Sequence, residues 1–151
     1  MAQSFDQILE DFSYLDEWED RYRHVIELGK ALPPMNEALK TPATKVSGCA
    51  SQVWIHSTPR NSVNGNGNGS GKDIGISLVG DSDALIVKGL MAIVFAMFAP
   101  LSAREIVELD AAAALAKLGL AEHLTPQRSN GLASMVKRIK SDAATIIQTA
   151  A

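Results

Sequence analysis

The chain has 151 residues, of which 46% are hydrophobic and 21% charged, with a formal net charge of −3. That length reads as one domain, residues 1–151, able to bury roughly 70% of its unfolded surface without disulfides or metals. The acidic balance argues against a nucleic-acid surface, which needs clustered Lys and Arg, and disfavours an anionic membrane partner.

The start, MAQSFDQILEDF, has neither the basic nor the apolar region of a signal peptide. Ser4 and Gln7 have capping-box spacing, which predicts a short helix over Phe5 to Phe12. Asp16 is a plausible N-cap for a second helix. Its face is Trp18, Tyr22, Val25, Ile26 and Gly29, and Pro33 and Pro34 stop it. Pro42 is expected to keep the next segment extended.

From Gln52 to Ser57 the period changes to that of a strand, with Val53 and Ile55 on one face and Trp54 and His56 on the other. The polar tract NSVNGNGNGSGK, residues 61–72, reads as a flexible loop. Ile74, Ile76 and Leu78 then alternate with Gly75 and Ser77, a second strand. The two strands are expected to pair as an antiparallel hairpin with the Gly/Asn tract at its tip.

After Gly80 the pattern is helical. Asp81 or Ser82 is a candidate cap for a helix running to about Ala99. Its apolar stretch GLMAIVFAMFAP is far shorter than the ~20 residues needed to cross a bilayer, so it reads as a buried core helix. Ser102 and Glu105 form a capping box for a short helix to about Leu109. Asp110 is placed to cap Ala111 to Leu118, with Gly119 at C′. Thr125 and Pro126 open the last helix, whose apolar stripe is Leu132, Met135, Val136, Ile139, Ala143, Ile146 and Ile147. Helices, a small antiparallel sheet and helices again make an α+β domain.

Several motifs fail. Gly71-Lys72 has Asn66 where a phosphate loop needs glycine, and Asp73 where it needs Ser or Thr. The alternating glycines miss every third-glycine position of G-x-G-x-x-G. One cysteine and three histidines (His24, His56, His123), none in paired spacing, do not make a zinc site, and a lone thiol cannot hold an iron–sulfur cluster. The expected metal set is none.

The remaining chemistry lies in VSGCASQVW, around Cys49. A lone cysteine is commonly a small buried hydrophobe. Here Gly48 removes a side chain beside the sulfur, Ser47-Gly48 interrupts the extended pattern, and Ala50 and Ser51 are small. An ordinary thiol is only a few per cent ionised at neutral pH, and Lys45 is expected to favour the thiolate modestly. With no resolving thiol, Cys49 is suited to exchange with a sulfur held on another molecule. Three functions stay open on the residues. They are a persulfide carrier, a stand-alone cysteine-dependent hydrolase or thiol peroxidase with His56 or His123 as base, and a binding module with an inert Cys49.

The segments WEDRYRHVIELGKALPP, VSGCASQVWI, GDSDALIVKGLMAIVFAM and GLAEHLTPQRSNGLASMVKRI, in this order, resemble the SufE family. The resemblance implies a SufE/IscU-like fold, a small antiparallel sheet packed against several helices. It implies that Cys49 accepts sulfane sulfur from a SufS-type cysteine desulfurase, stimulates that enzyme, and delivers sulfur to the SufBCD scaffold. The cofactor PLP would belong to the desulfurase, with none bound to this chain, and the setting would be cytoplasmic. Ala50 stands where the family commonly has glutamine, and Ala111 to Ala114 where it often has aromatic residues.

The resemblance adds candidates at the loop and partner surface: Gly48, Ser51, Gln52, Asp81, Asp83, Lys88, His123 and Arg128. Six of them also have a plain reading. Asp81 and Asp83 suit a helix start. Lys88 is able to snorkel from an apolar helix. His123 suits a structural hydrogen bond. Gln52 and Trp54 suit anchoring of the strand behind the loop. Arg128 opposes the helix dipole in a first turn, unless a carboxylate pairs with it.

Overall fold

The computed structural model describes residues 4–49, 51–62, 74–120 and 124–150. Most of the Gly/Asn tract, Ala50 and His123 lie outside the described residues.

Helix α1, Phe5–Ser13, starts at Ser4, whose Oγ accepts the Gln7 N–H at 3.1 Å. The reciprocal half of the expected box is replaced by a bond from the Gln7 side chain to Asp11. Helix α2, Trp18–Lys30, begins after Glu17 with no side-chain cap, so Asp16 does not take that role. Its expected face is the buried one: Val25 and Gly29 are enclosed, and Trp18, Tyr22 and Ile26 pack against the core.

Helix α3, Leu85–Phe98, is apolar on nearly every side and is the centre of the core. It touches α1, α2, β2 and α6. Leu90, Met91, Ile93, Val94 and Phe98 are almost wholly enclosed; full burial of such side chains stabilises by about 1.5–3 kcal/mol each. Helices α2 and α3 cross at a glycine pair: a Cβ on Gly29 would sit 2.7 Å from the Gly89 nitrogen. Among the described residues no helix is long and apolar enough to cross a membrane.

Strands β1, Val53–Ser62, and β2, Ile74–Ser82, pair antiparallel, with Val53 opposite Ser82 and Trp54 opposite Asp81. Val53 and Ile55 are buried while Trp54 and His56 are half-buried, as the alternation predicts. The strands run past the apolar pattern at the hairpin end, and Asn61 and Ser62 belong to β1. They also run past it at the other end. Asp81 and Ser82 are strand residues because Trp54 and Val53 pair with them, and α3 therefore starts later than expected, after Ala84. The segment around Pro42 is not extended. Thr44 and Lys45 donate to the Thr41 carbonyl, closing a turn after a 3-10 turn at Glu37–Leu39.

Helix α4, Ala103–Glu108, has the complete Ser102–Glu105 capping box. Helix α5, Ala111–Ala116, is capped by Asp110 and stops short of Leu118. Helix α6, Pro126–Ala150, opens with the Thr125 Oγ1 accepting the Arg128 N–H at 3.2 Å. Met135, Ile139 and Ala143 are fully enclosed, and Leu132, Val136, Ile146 and Ile147 flank them.

Candidate functional site

After the Pro42 turn, residues 44–46 pair with the start of β1. Val46 N–H donates to the Val53 carbonyl, and Ile55 N–H to that of Thr44, both at 2.8 Å. The connection between these paired residues carries Cys49 near its tip. Gly48 sits at φ +89°, a left-handed conformation that glycine adopts without strain. A Cβ there would also meet Ser134 Oγ on α6 at 2.5 Å.

The tip rests on α6 and on the turn before α3. Cys49 Sγ lies 3.8 Å from the Gly131 carbonyl oxygen, a weak sulfur hydrogen bond. On the other side of the loop the Gln52 N–H donates to Asp83 Oδ1 at 3.1 Å. That bond and the Asp83 N–H, which donates back to the Gln52 carbonyl at 3.3 Å, tie down the returning limb. Asp83 caps no helix start here; its role is to hold the loop.

Cys49 opens onto a cavity of about 310 Å³. Val87 and Leu90 of α3, Leu132 and Met135 of α6, and Gly131 form its apolar side; Ser51, Thr125, Gln127 and Arg128 form its polar side. Burial pushes the Cys49 thiol up from its ordinary pKa. The expected help from Lys45 does not offset this burial. The resting sulfur is therefore a protonated, weak nucleophile. Arg128 is half-buried at the cavity and has no ion-pair or side-chain hydrogen-bond partner among the described residues. Pairing with a carboxylate, its plain reading, is thereby excluded among those residues.

Asp81 and Lys88 form a different cluster. Asp81 accepts from Lys40 at 2.8 Å and lies 3.5 Å from Lys88 Nζ. Lys40 also pairs with Glu37 and stands 5.3 Å from the Trp54 ring centre, a cation–π contact. Burial alone would raise the Asp81 carboxyl; hydrogen bonds from Lys40 and the Ser82 N–H, with the Lys40 and Lys88 charges, hold it below the usual carboxylate range. Neither Asp81 nor Lys88 lines the Cys49 cavity.

A larger groove, about 1120 Å³, runs between α2, β2 and the end of α3. It shares no lining residue with the Cys49 cavity and has no thiol, so its size does not make it the reactive site. The structure therefore brings Gly48, Cys49, Ser51, Gln52, Asp83 and Arg128 together. Gly131 and Ser134 are functional neighbours that the sequence reading did not single out. The available signal was a glycine inside a long helix, which costs helix stability and often marks a close approach.

The family described as "SufE: Fe-S metabolism associated domain" matches residues 6–143. A SufE-like protein of Rhizobium meliloti (strain 1021) is 53% identical over 142 residues, covering 93% of this chain and 94% of its own. A SufE-like protein of Rhizobium etli is 53% identical over 144 residues, covering 93% and 89%. The solution structure of a hypothetical protein from Thermus thermophilus superposes with a TM-score of 0.72 at 19% identity, covering 95% of this chain and 96% of its own, a likeness of fold.

Proposed function

This chain belongs to the SufE family, and from that premise we propose that Cys49 accepts sulfane sulfur from a SufS-type cysteine desulfurase for iron–sulfur cluster assembly. The observation that carries the reading is a lone thiol at the tip of a loop, facing a cavity with room beside the sulfur and an Arg128 side chain that has no ion-pair partner among the described residues.

In the resting position the thiol is protonated and shielded. Carried out on its loop to a partner's site, it regains an ordinary acidity. The Cys49 sulfur then attacks the outer sulfur of the donor's persulfide. A new S–S bond forms on Cys49, the donor's S–S bond breaks, and the donor cysteine leaves as a thiolate that takes up the proton Cys49 lost. Cys49–SH and R–S–S⁻ become Cys49–S–S⁻ and R–SH, with no outside oxidant or reductant. On return, the extra sulfur has space in the cavity, and Arg128 supplies a positive charge for the persulfide anion. PLP chemistry belongs to the desulfurase. Removal of sulfur from the donor stimulates that enzyme, and the SufBCD scaffold is the recipient. A cytoplasmic, reducing setting suits such a thiol.

The stand-alone hydrolase is the weaker reading. Of the described histidines, neither His24 nor His56 lines the Cys49 cavity, so neither is placed as a base. The test is an intact mass after mixing the protein with a cysteine desulfurase and L-cysteine. The expected gain is roughly 32 Da per sulfur on the native chain and none on Cys49→Ser. Equal gain on both proteins sinks the assignment.

A further inference from the structure

The cysteine loop is held unevenly. At the tip its ties are the 3.8 Å sulfur contact to Gly131 and a reciprocal pair between Gln52 and Asp83, the Gln52 N–H to Asp83 Oδ1 at 3.1 Å and the Asp83 N–H to the Gln52 carbonyl at 3.3 Å. At the stem the grip is stronger: Thr44 Oγ1 donates to the Leu39 and Thr41 carbonyls, residues 44–46 pair with β1, and one side chain of α6 ties this stem to the helix. Arg138 Nη2 donates to the Ala43 carbonyl at 2.6 Å, and Nη1 to that of Lys45 at 3.3 Å. Its Nε donates to the Asp142 carboxylate at 3.0 and 3.2 Å. Asp142 Oδ2 in turn accepts from Ser57 Oγ of β1 at 2.7 Å.

The geometry follows from the Pro42 turn running directly into the short pairing with β1. The Thr44 carbonyl and Val46 N–H face β1. The carbonyls of Ala43 and Lys45 point the other way, along an edge that no further strand covers among the described residues. The guanidinium fork spans that pair of carbonyls and does the work of a missing strand, a task its planar donors suit and a lysine's do not. Gly131, Ser134, Arg138 and Asp142 lie along one side of α6 at helical spacing. That stripe receives the thiol, the Gly48 turn, the stem and β1 in order.

We propose that Arg138 is a positioning residue for sulfur acceptance at Cys49: it fixes the stem of the loop on α6, so that the tip moves while its base stays in place. This rests on Cys49 being the acceptor. Without the fork, residues 43–46 keep their pairing with β1 and the local turn bonds to Leu39 and Thr41 but lose their tie to α6, and the docked tip loses its fixed base.

The test compares Arg138→Met, Arg138→Lys and the core variant Ile106→Val, whose side chain takes part in none of the cysteine loop's hydrogen bonds, with the native chain. The readouts are the iodoacetamide alkylation rate of Cys49 and amide exchange at Val46 and Ile55, under native conditions. Arg138→Met is expected to raise the alkylation rate at least roughly 10-fold, the low end for losing one charge-assisted bond, and to speed exchange at both amides. Arg138→Lys, which keeps the charge and reaches one carbonyl, is expected to fall between. Ile106→Val reports what general destabilisation does and is expected to leave alkylation within about twofold of native, as its cost falls on the global equilibrium. An unchanged alkylation rate in Arg138→Met overturns the proposal, as does an equal rise in Ile106→Val. Should Arg138→Met fail to fold, Arg138→Lys decides by the same readouts. Sulfur gain from the desulfurase is measured in parallel on the native chain. If that gain is absent while Arg138→Met still speeds alkylation, the clamp stands and the sulfur-acceptor reading is what fails.

Discussion

Replacing Gly48 by alanine separates the docking of the loop from the stability of the fold. In the docked loop Gly48 is at φ +89°, where an L-residue is strained by about 1–3 kcal/mol. The added Cβ would also stand 2.5 Å from Ser134 Oγ, but that hydroxyl is the end of a short side chain able to rotate aside. The strain exists only while the loop is docked, since a released tip takes any φ. The undocked population should therefore rise about 5- to 150-fold, and the alkylation rate of Cys49 with it. Were the same cost borne by the whole domain, melting would drop by roughly 2–12 °C, at about 2–4 °C per kcal/mol for a chain of this size. The expected result is fast alkylation with a loss of less than about 2 °C. Adding Ser134→Ala should change little, because φ and not the contact carries the cost. A large melting loss with unaltered alkylation would refute the picture of a tip that leaves while the fold stays intact.

Burial disfavours the Cys49 thiolate, so the folded chain holds that proton more tightly than the unfolded one. The associated stability is present below the ordinary thiol pKa and is lost as pH rises through the raised folded value. Alkylation of the native protein should accordingly gain speed at a higher pH than a free cysteine does, and Gly48→Ala should shift the profile back toward it. Asp81 has the opposite sign: its lowered carboxyl stabilises above the ordinary carboxylate range, and that contribution is lost as pH falls through the lowered value. In melts from neutral to acid, Asp81→Asn should be less stable at neutral pH and should converge with native as the acid limit is approached; parallel curves would contradict the ion cluster. Gly89→Ala tests the α2–α3 crossing, where the new Cβ would lie 2.1 Å from the Val25 carbonyl oxygen. A cost of about 3 kcal/mol, seen as a melting loss of roughly 6–12 °C, is expected; an unaltered melt would contradict that crossing.

Local chemistry along the chain decides much of this protein. Ser102 with Glu105, Asp110 and Thr125 mark helix starts because their side chains bond to donors a few residues away, and Pro126 because its fixed φ suits the first helical position. The stripe through Met135, Ile139 and Ala143 finds the core because helical spacing places it on one face. The alternation of Val53 to His56 finds the strand, and the solitary Cys49 beside a glycine finds the reactive loop.

Other features were set by partners distant in sequence. Asp81 and Asp83 look alike as capping carboxylates, yet strand pairing sends one to a lysine cluster and the other to the cysteine loop. The thiol's acidity depends on burial beneath α3 and α6, which no neighbour such as Lys45 reveals. Gly131 and Arg138 gain meaning only when α6 lies along the stem of the loop. Periodicity and caps are short-range and survive in a one-dimensional reading. The docking of the loop depends on hydrogen bonds spanning 82 residues at Gly131 and 95 at Arg138, and these exist only after the core has closed.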